Sequence, residues 1–239
     1  DMKKFNIPFS PPDMTEAEVK EVAQAILSGW ITTGPRTKEL ERQIAEYIGV
    51  NKAVCLNSQT ACAEMALRLL GIGEGDEVIV PAPFWVSYPE MVKMADGTPV
   101  IIPAGIDQDF KITPAQLEAA ITPKTKALIL CSPSNPTGSV YSKEELAGLA
   151  EVLAKHPQVF IIADEIYEHI NYIGKHESIA QFDEVHDRVI IVNGVSKAYA
   201  MTGWRIGFVA GPEWIVKAIN KLQGQYTSGP CSVSQKAAE

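Results

Sequence analysis

The sequence predicts an α/β fold: a mostly parallel seven-stranded sheet with helices on both faces. Two observations lead to it. From residue 51 onward, short apolar runs rich in β-branched residues alternate with stretches of helical periodicity. Those runs are apolar almost without a break, as strands are when helices cover both faces of a sheet. At 239 residues the chain is long enough to bury a sizeable core.

Residues 1–50 read as a helical lead-in segment and residues 51–239 as the main domain. Asn6 to Pro12 is proline-rich and extended. Thr15 and Glu18 then fit a capping box, followed by Val19, Val22, Ala23, Ile26 and Leu27 at helical spacing and a stop at Ser28-Gly29. Trp30 to Pro35 is a turn-rich connector. A second helix starts near Arg36, carries Leu40, Ile44, Tyr47 and Ile48 on one face, and ends at Gly49. Strands are expected at Ala53–Leu56, Glu77–Val80, Pro99–Ile102, Ala127–Cys131, Val159–Ala163, Val189–Val192 and Ile206–Ala210. Helices are expected at Ala61–Leu70, Tyr88–Ala95, Pro114–Ile121 and Lys143–Lys155, and again after Pro212. Thr113 with Gln116, and Ser142 with Glu145, cap two of them. Gly71-Ile72-Gly73-Glu74-Gly75 follows a helix and precedes a strand, so it is a turn and not a dinucleotide fingerprint.

Composition narrows the functions. A net charge of −8 argues against nonspecific nucleic-acid binding and against an anionic membrane surface. No run of eighteen apolar residues is present, so no span is expected. Asp1 to Ser10 has no apolar core of a secretory signal. The four cysteines, Cys55, Cys62, Cys131 and Cys231, have no C-x-x-C spacing, which suggests a reducing, cytoplasmic compartment. The four histidines form no ligand motif, and no metal is expected.

In a parallel sheet, ligands bind outside the carboxyl ends of the strands. Ser58, Gln59 and Thr60 follow the first strand and open a helix, whose free N–H groups suit a phosphate; a plain N-cap reads the same way. Trp85 follows the second strand and offers a stacking plate, although core packing is an equal reading. Asn135 follows the fourth, in a proline-stiffened loop that a functionless turn would also fit. Asp164 ends the fifth, where an unpaired carboxylate is costly, so it needs a cationic partner: a salt bridge or a protonated ring nitrogen. Tyr167 adds a phenol. Lys197 follows the sixth among small and aromatic residues; an amine held in apolar surroundings becomes a nucleophile toward aldehydes. Arg205 precedes the seventh and offers a rigid fork for a phosphate. Each feature has a bland explanation, but six together describe a planar, phosphorylated aldehyde with a ring nitrogen. Pyridoxal 5'-phosphate fits that description.

From about Pro83 onward, P-F-W-V-S-Y-P-E, S-N-P-T-G, D-E-I-Y and S-K-A-Y-A-M-T-G-W-R-I-G-F resemble fold-type I pyridoxal-phosphate enzymes of the aspartate aminotransferase superfamily. The resemblance implies that Lys197 holds the cofactor aldehyde as a Schiff base and that Asp164 pairs with the ring nitrogen. Asn135 and Tyr167 would bond the phenolic oxygen, Trp85 would stack on the ring, and Arg205 would hold the phosphate. It makes residues 51–239 the cofactor-binding large domain and implies amino-acid and 2-oxo-acid substrates and a homodimer. Residues 1 to about 82, with G-W-I-T-T-G-P-R-T-K-E-L-E and V-C-L-N-S-Q-T-A, are instead similar to the sugar-aminotransferase branch, where Gln59 replaces a usual glycine. The change of pattern suggests a chimera joined near Pro81–Pro83. Measured against the family, the chain also stops before the C-terminal small domain. Transamination is the first reading. Other chemistry on the same cofactor, such as β-elimination or decarboxylation, and a scaffold without turnover are the alternatives.

Overall fold

A computed structural model describes residues 14–30 and 34–239. The proline-rich stretch at residues 6–12 and residues 31–33 of the connector lie outside the described residues.

The lead-in forms α1 (Glu16–Leu27) and α2 (Pro35–Ile48). Thr15 and Glu18 make the reciprocal capping box, and Gly49 ends α2 in the left-handed conformation at φ 80°. The apolar stripe of α1 is largely in solvent: Ala25 is buried, whereas Val19, Ile26 and Leu27 are exposed.

The strands are β1 (Ala53–Leu56), β2 (Glu77–Ala82), β3 (Thr98–Pro103), β4 (Thr125–Cys131), β5 (Phe160–Asp164), β6 (Val189–Gly194) and β7 (Gly207–Ala210). Between them lie α3 (Gln59–Leu69), α4 (Ser87–Met94), α5 (Pro114–Ala120) and α6 (Lys143–Ala154); α7 (Glu213–Tyr226) and α8 (Ser232–Ala238) follow. Four expected strand starts shift: β3 begins one residue early at Thr98, β4 two residues early at Thr125, and β5 and β7 one residue late. Val159 stays outside β5, and Ile206 outside β7. The glycine-rich stretch after α3 is a turn.

The sheet order is β1-β7-β6-β5-β4-β2-β3. Every neighbouring pair is parallel except those of β7, which runs antiparallel to both β1 and β6. Alternate residues of the central strands serve opposite faces. Val78, Val80, Ile129, Ile162, Ile190 and Val209 pack with α3, α4 and α7. Ile79, Leu128, Leu130, Ile161 and Ile191 pack with α5 and α6. Prolines fall where the ladder is one-sided: Pro99 and Pro103 on edge strand β3, and Pro81 in β2 beyond its pairing with β4. No described helix is long and apolar enough to cross a membrane.

Candidate active site

All nine residues singled out from the sequence line one cleft of about 260 Å³: Ser58, Gln59, Thr60, Trp85, Asn135, Asp164, Tyr167, Lys197 and Arg205. Topology brings them there. Parallel strands β2, β4, β5 and β6 end at this edge. Antiparallel β7 begins at it, so Arg205 arrives from the amino side of its strand.

Ser58 is the N-cap of α3; its Oγ accepts a hydrogen bond from the Ala61 N–H at 3.1 Å. The turn is pressed against β7. A Cβ on Gly207 would lie 2.4 Å from both the Gln59 nitrogen and the Ser58 carbonyl carbon, so only glycine allows this approach. Arg205 adopts φ 58° and donates from its guanidinium to the Thr202 carbonyl at 2.8 Å, next to that turn in the cleft lining.

Asp164 is 2% exposed. Of the two cationic partners the sequence led to, a salt bridge is absent among the described residues, and neutral protein donors hold the carboxylate. The Tyr88 hydroxyl and the Gln59 side-chain amide each donate to Oδ2 at 2.5 Å, and the Ile166 N–H donates to Oδ1 at 3.2 Å. Burial dominates, raising the carboxyl to about 6 against these donors. Burial, reinforced by the Asp164 charge, also pushes the Tyr88 phenol well up, so it remains a donor.

Lys197 departs from expectation as well. It is exposed at the cleft instead of being enclosed by apolar groups, with Nζ 6.0 Å from the Tyr167 ring centroid. Its placement at the strand end is as expected; its enclosure is not. Asn135 Nδ2 donates to the Tyr167 hydroxyl at 3.4 Å, and burial raises that phenol. Trp85 is half-buried and meets Tyr88 edge-on, with centroids 5.5 Å apart.

Sequence reasoning missed Tyr88, Ile166, Ser196 and Thr202 as lining residues. Tyr88 had a readable signal: it stands one helical turn after Trp85, at the same strand end, with a buried acid to satisfy. The donor set suits a planar, phosphorylated heterocycle. It joins a buried carboxylate that has no cationic partner among the described residues with an arginine, a helix N-terminus that glycine keeps open, and an amine.

Comparison with known proteins gives a consistent set. The family described as aminotransferase class I and II matches residues 6–239. A bifunctional aspartate aminotransferase and glutamate/aspartate-prephenate aminotransferase of Petunia hybrida is 56% identical over 69% of this chain and 34% of its own length. An aspartate aminotransferase of Pinus pinaster is 44% identical over 96% of this chain and 48% of its own. The solved aspartate aminotransferase of Thermus thermophilus with maleate superposes with a TM-score of 0.86 at 36% identity, covering 96% of this chain and 62% of that one. The chain thus spans 34% and 48% of the length of the petunia and pine relatives.

Proposed function

The chain belongs to the class I and II aminotransferases, and from that membership we propose that it carries the cofactor site of an enzyme moving an amino group between an amino acid and a 2-oxo acid with pyridoxal 5'-phosphate. The observation that carries the reading is the meeting of Lys197, Asp164 and Arg205 in one cleft. Aspartate and glutamate are the donors the reading favours, since the petunia and pine relatives are named as aspartate aminotransferases.

When bound, the cofactor supplies an electron sink for a substrate carbanion. The chain's own residues do the rest. Arg205 and the N–H groups at the start of α3 would hold the phosphate. Trp85 would offer a stacking surface for the ring. Asp164 would accept from the ring N–H, and its buried setting would make that charge pairing strong. Asn135 and Tyr167 would serve the ring's phenolic oxygen. Lys197 would provide the amine that holds the aldehyde and, when free, the base that carries a proton.

Adding pyridoxal phosphate and reading visible absorbance tests this. A band is expected that borohydride fixes on Lys197, and Lys197→Ala should show neither the band nor the fixed peptide. No band in the unmodified chain would overturn the reading. Half-reactions with aspartate, glutamate and an amino sugar then separate transamination from β-elimination, decarboxylation or an inert scaffold.

The proposal extends to a homodimer, read by sedimentation. It also extends to a separate ancestry for residues 1 to about 82. The relative that is 56% identical covers 69% of the chain, whereas the one covering 96% is 44% identical, which is compatible with two segments of unequal likeness. Comparing residues 1–82 and 83–239 separately tests the splice; one shared subfamily for both refutes it.

A further inference from the structure

Gln59 sits where the sugar-aminotransferase resemblance has a glycine, and its side chain does not follow its backbone. The backbone belongs to the first turn of α3, in the seat proposed for the phosphate. The amide reaches from α3 to the end of β5 and donates to Asp164 Oδ2. Gln59 is buried at 9% exposure, and its reach is fixed from behind, where the Gly207 backbone lies too close to the turn to admit a Cβ.

The hydrogen bonds at the carboxylate are unequal. Oδ2 receives two donors at 2.5 Å, from Gln59 on α3 and Tyr88 on α4, whereas Oδ1 receives one at 3.2 Å from the Ile166 backbone. An ionised carboxylate oxygen accepts about two hydrogen bonds well. Oδ2 is therefore filled by the protein, and Oδ1 keeps room for a donor from a ligand. The other titratable groups facing Asp164 are Tyr88, Cys62 on α3, Cys131 at the end of β4, and Glu165 and Tyr167 on its own loop. None of these supplies a cation.

The geometry points to Gln59 as a positioning residue: it locks Asp164 through Oδ2, keeps the carboxylate ionised in its buried setting, and presents Oδ1 to the ring N–H. The inference rests on the proposed role of Asp164 as acceptor for the cofactor ring. Tyr88 shares the task from α4, but among the described residues that donate to Asp164 only Gln59 also belongs to the turn proposed for the phosphate.

The test reads Asp164 itself in the cofactor-free chain, by NMR of ¹³C-carboxyl-labelled aspartate, with Asp164→Asn identifying the resonance. Gln59→Leu keeps the volume and removes the donor; the Asp164 midpoint should rise by about one pH unit. Gln59→Asn keeps an amide but withdraws it by one methylene, so it should shift the midpoint the same way and serves if the leucine variant does not fold. A midpoint within about 0.2 units of the unmodified chain in a folded variant overturns the inference, because a loss at that hydrogen bond must appear there. With cofactor added, the acidic limb of its affinity profile should move up with the same shift. If no form of the chain binds the cofactor, the functional proposal fails, while the carboxyl titration still decides the role of Gln59.

Discussion

Asp164 sets the pH behaviour of this chain more than any group around it. The folded chain holds its proton up to about 6, against 3.8 for the ordinary carboxyl. Stability linked to this group is therefore fully present below about pH 4 and is lost as pH rises through 6, by up to about 3 kcal/mol. Asp164→Asn should remove that loss. Urea denaturation of the cofactor-free variant is expected to show a gain at pH 7.5 that vanishes at pH 4; an equal effect at both pH values would contradict it. Bound pyridoxal phosphate should reverse the preference, since a protonated ring nitrogen stabilises the ionised form. The carboxylate was legible in the sequence because an acid ending an apolar run must find a partner. Its actual partners were not. Tyr88 looked like one more apolar position of a helix, and Gln59 like part of a phosphate turn, because side-chain direction depends on neighbours that sequence spacing does not place. Lys197 shows the same limit: small and aromatic neighbours in sequence suggested enclosure, but the side chain lies exposed.

Among the elements, the contact between β7 and the start of α3 governs the cleft. Gly207→Ala puts a methyl group within 2.4 Å of backbone that cannot step aside as a side chain can. The expected cost is about 1–3 kcal/mol of stability, together with a loss of pyridoxal phosphate affinity that fluorescence titration would read. Unchanged affinity would mean that the turn is not part of the phosphate seat. On the opposite side of the sheet, Arg188 just before β6 is buried and donates to the carbonyls of Leu153, His156 and Val159, closing the end of α6. Arg188→Met removes the guanidinium donors from those carbonyls, of which Leu153 and His156 keep backbone N–H donors, and should cost about 1–3 kcal/mol by urea denaturation, with little effect on the cleft. The strands and capped helices were legible because their runs, caps and breakers are local. Arg188 was not, because its acceptors come from a helix end and a loop far away in the chain.

At the scale of the whole molecule, apolar surface stands out on α1, where Val19, Ile26 and Leu27 are 66%, 62% and 85% exposed. Substituting lysine at Ile26 and Leu27 should change the urea midpoint little, by less than about 1 kcal/mol, because neither side chain is packed. If the proposed homodimer uses this face, sedimentation should shift toward monomer; an unchanged dimer would place the interface elsewhere. The parallel sheet and its ligand-binding edge followed from the alternation of runs and helical segments. The reversal of β7 did not, since an apolar run four residues long carries no mark of its direction. That reversal also orders events in time. Among the described strands β1 pairs only with β7, so Ala53 finds its partner Ala210 only after nearly the whole sheet has been synthesised. On the ribosome, the turn at Ser58–Thr60 therefore emerges early, can reach Asp164 through Gln59 once β5 has followed, and gains its close backing only when Gly207 leaves the exit tunnel. The proposed phosphate seat is thus completed late, when Arg205 and Gly207 arrive. A chain arrested before residue 207 should carry a formed β2–β6 core with β1 unpaired and open to edge-to-edge association.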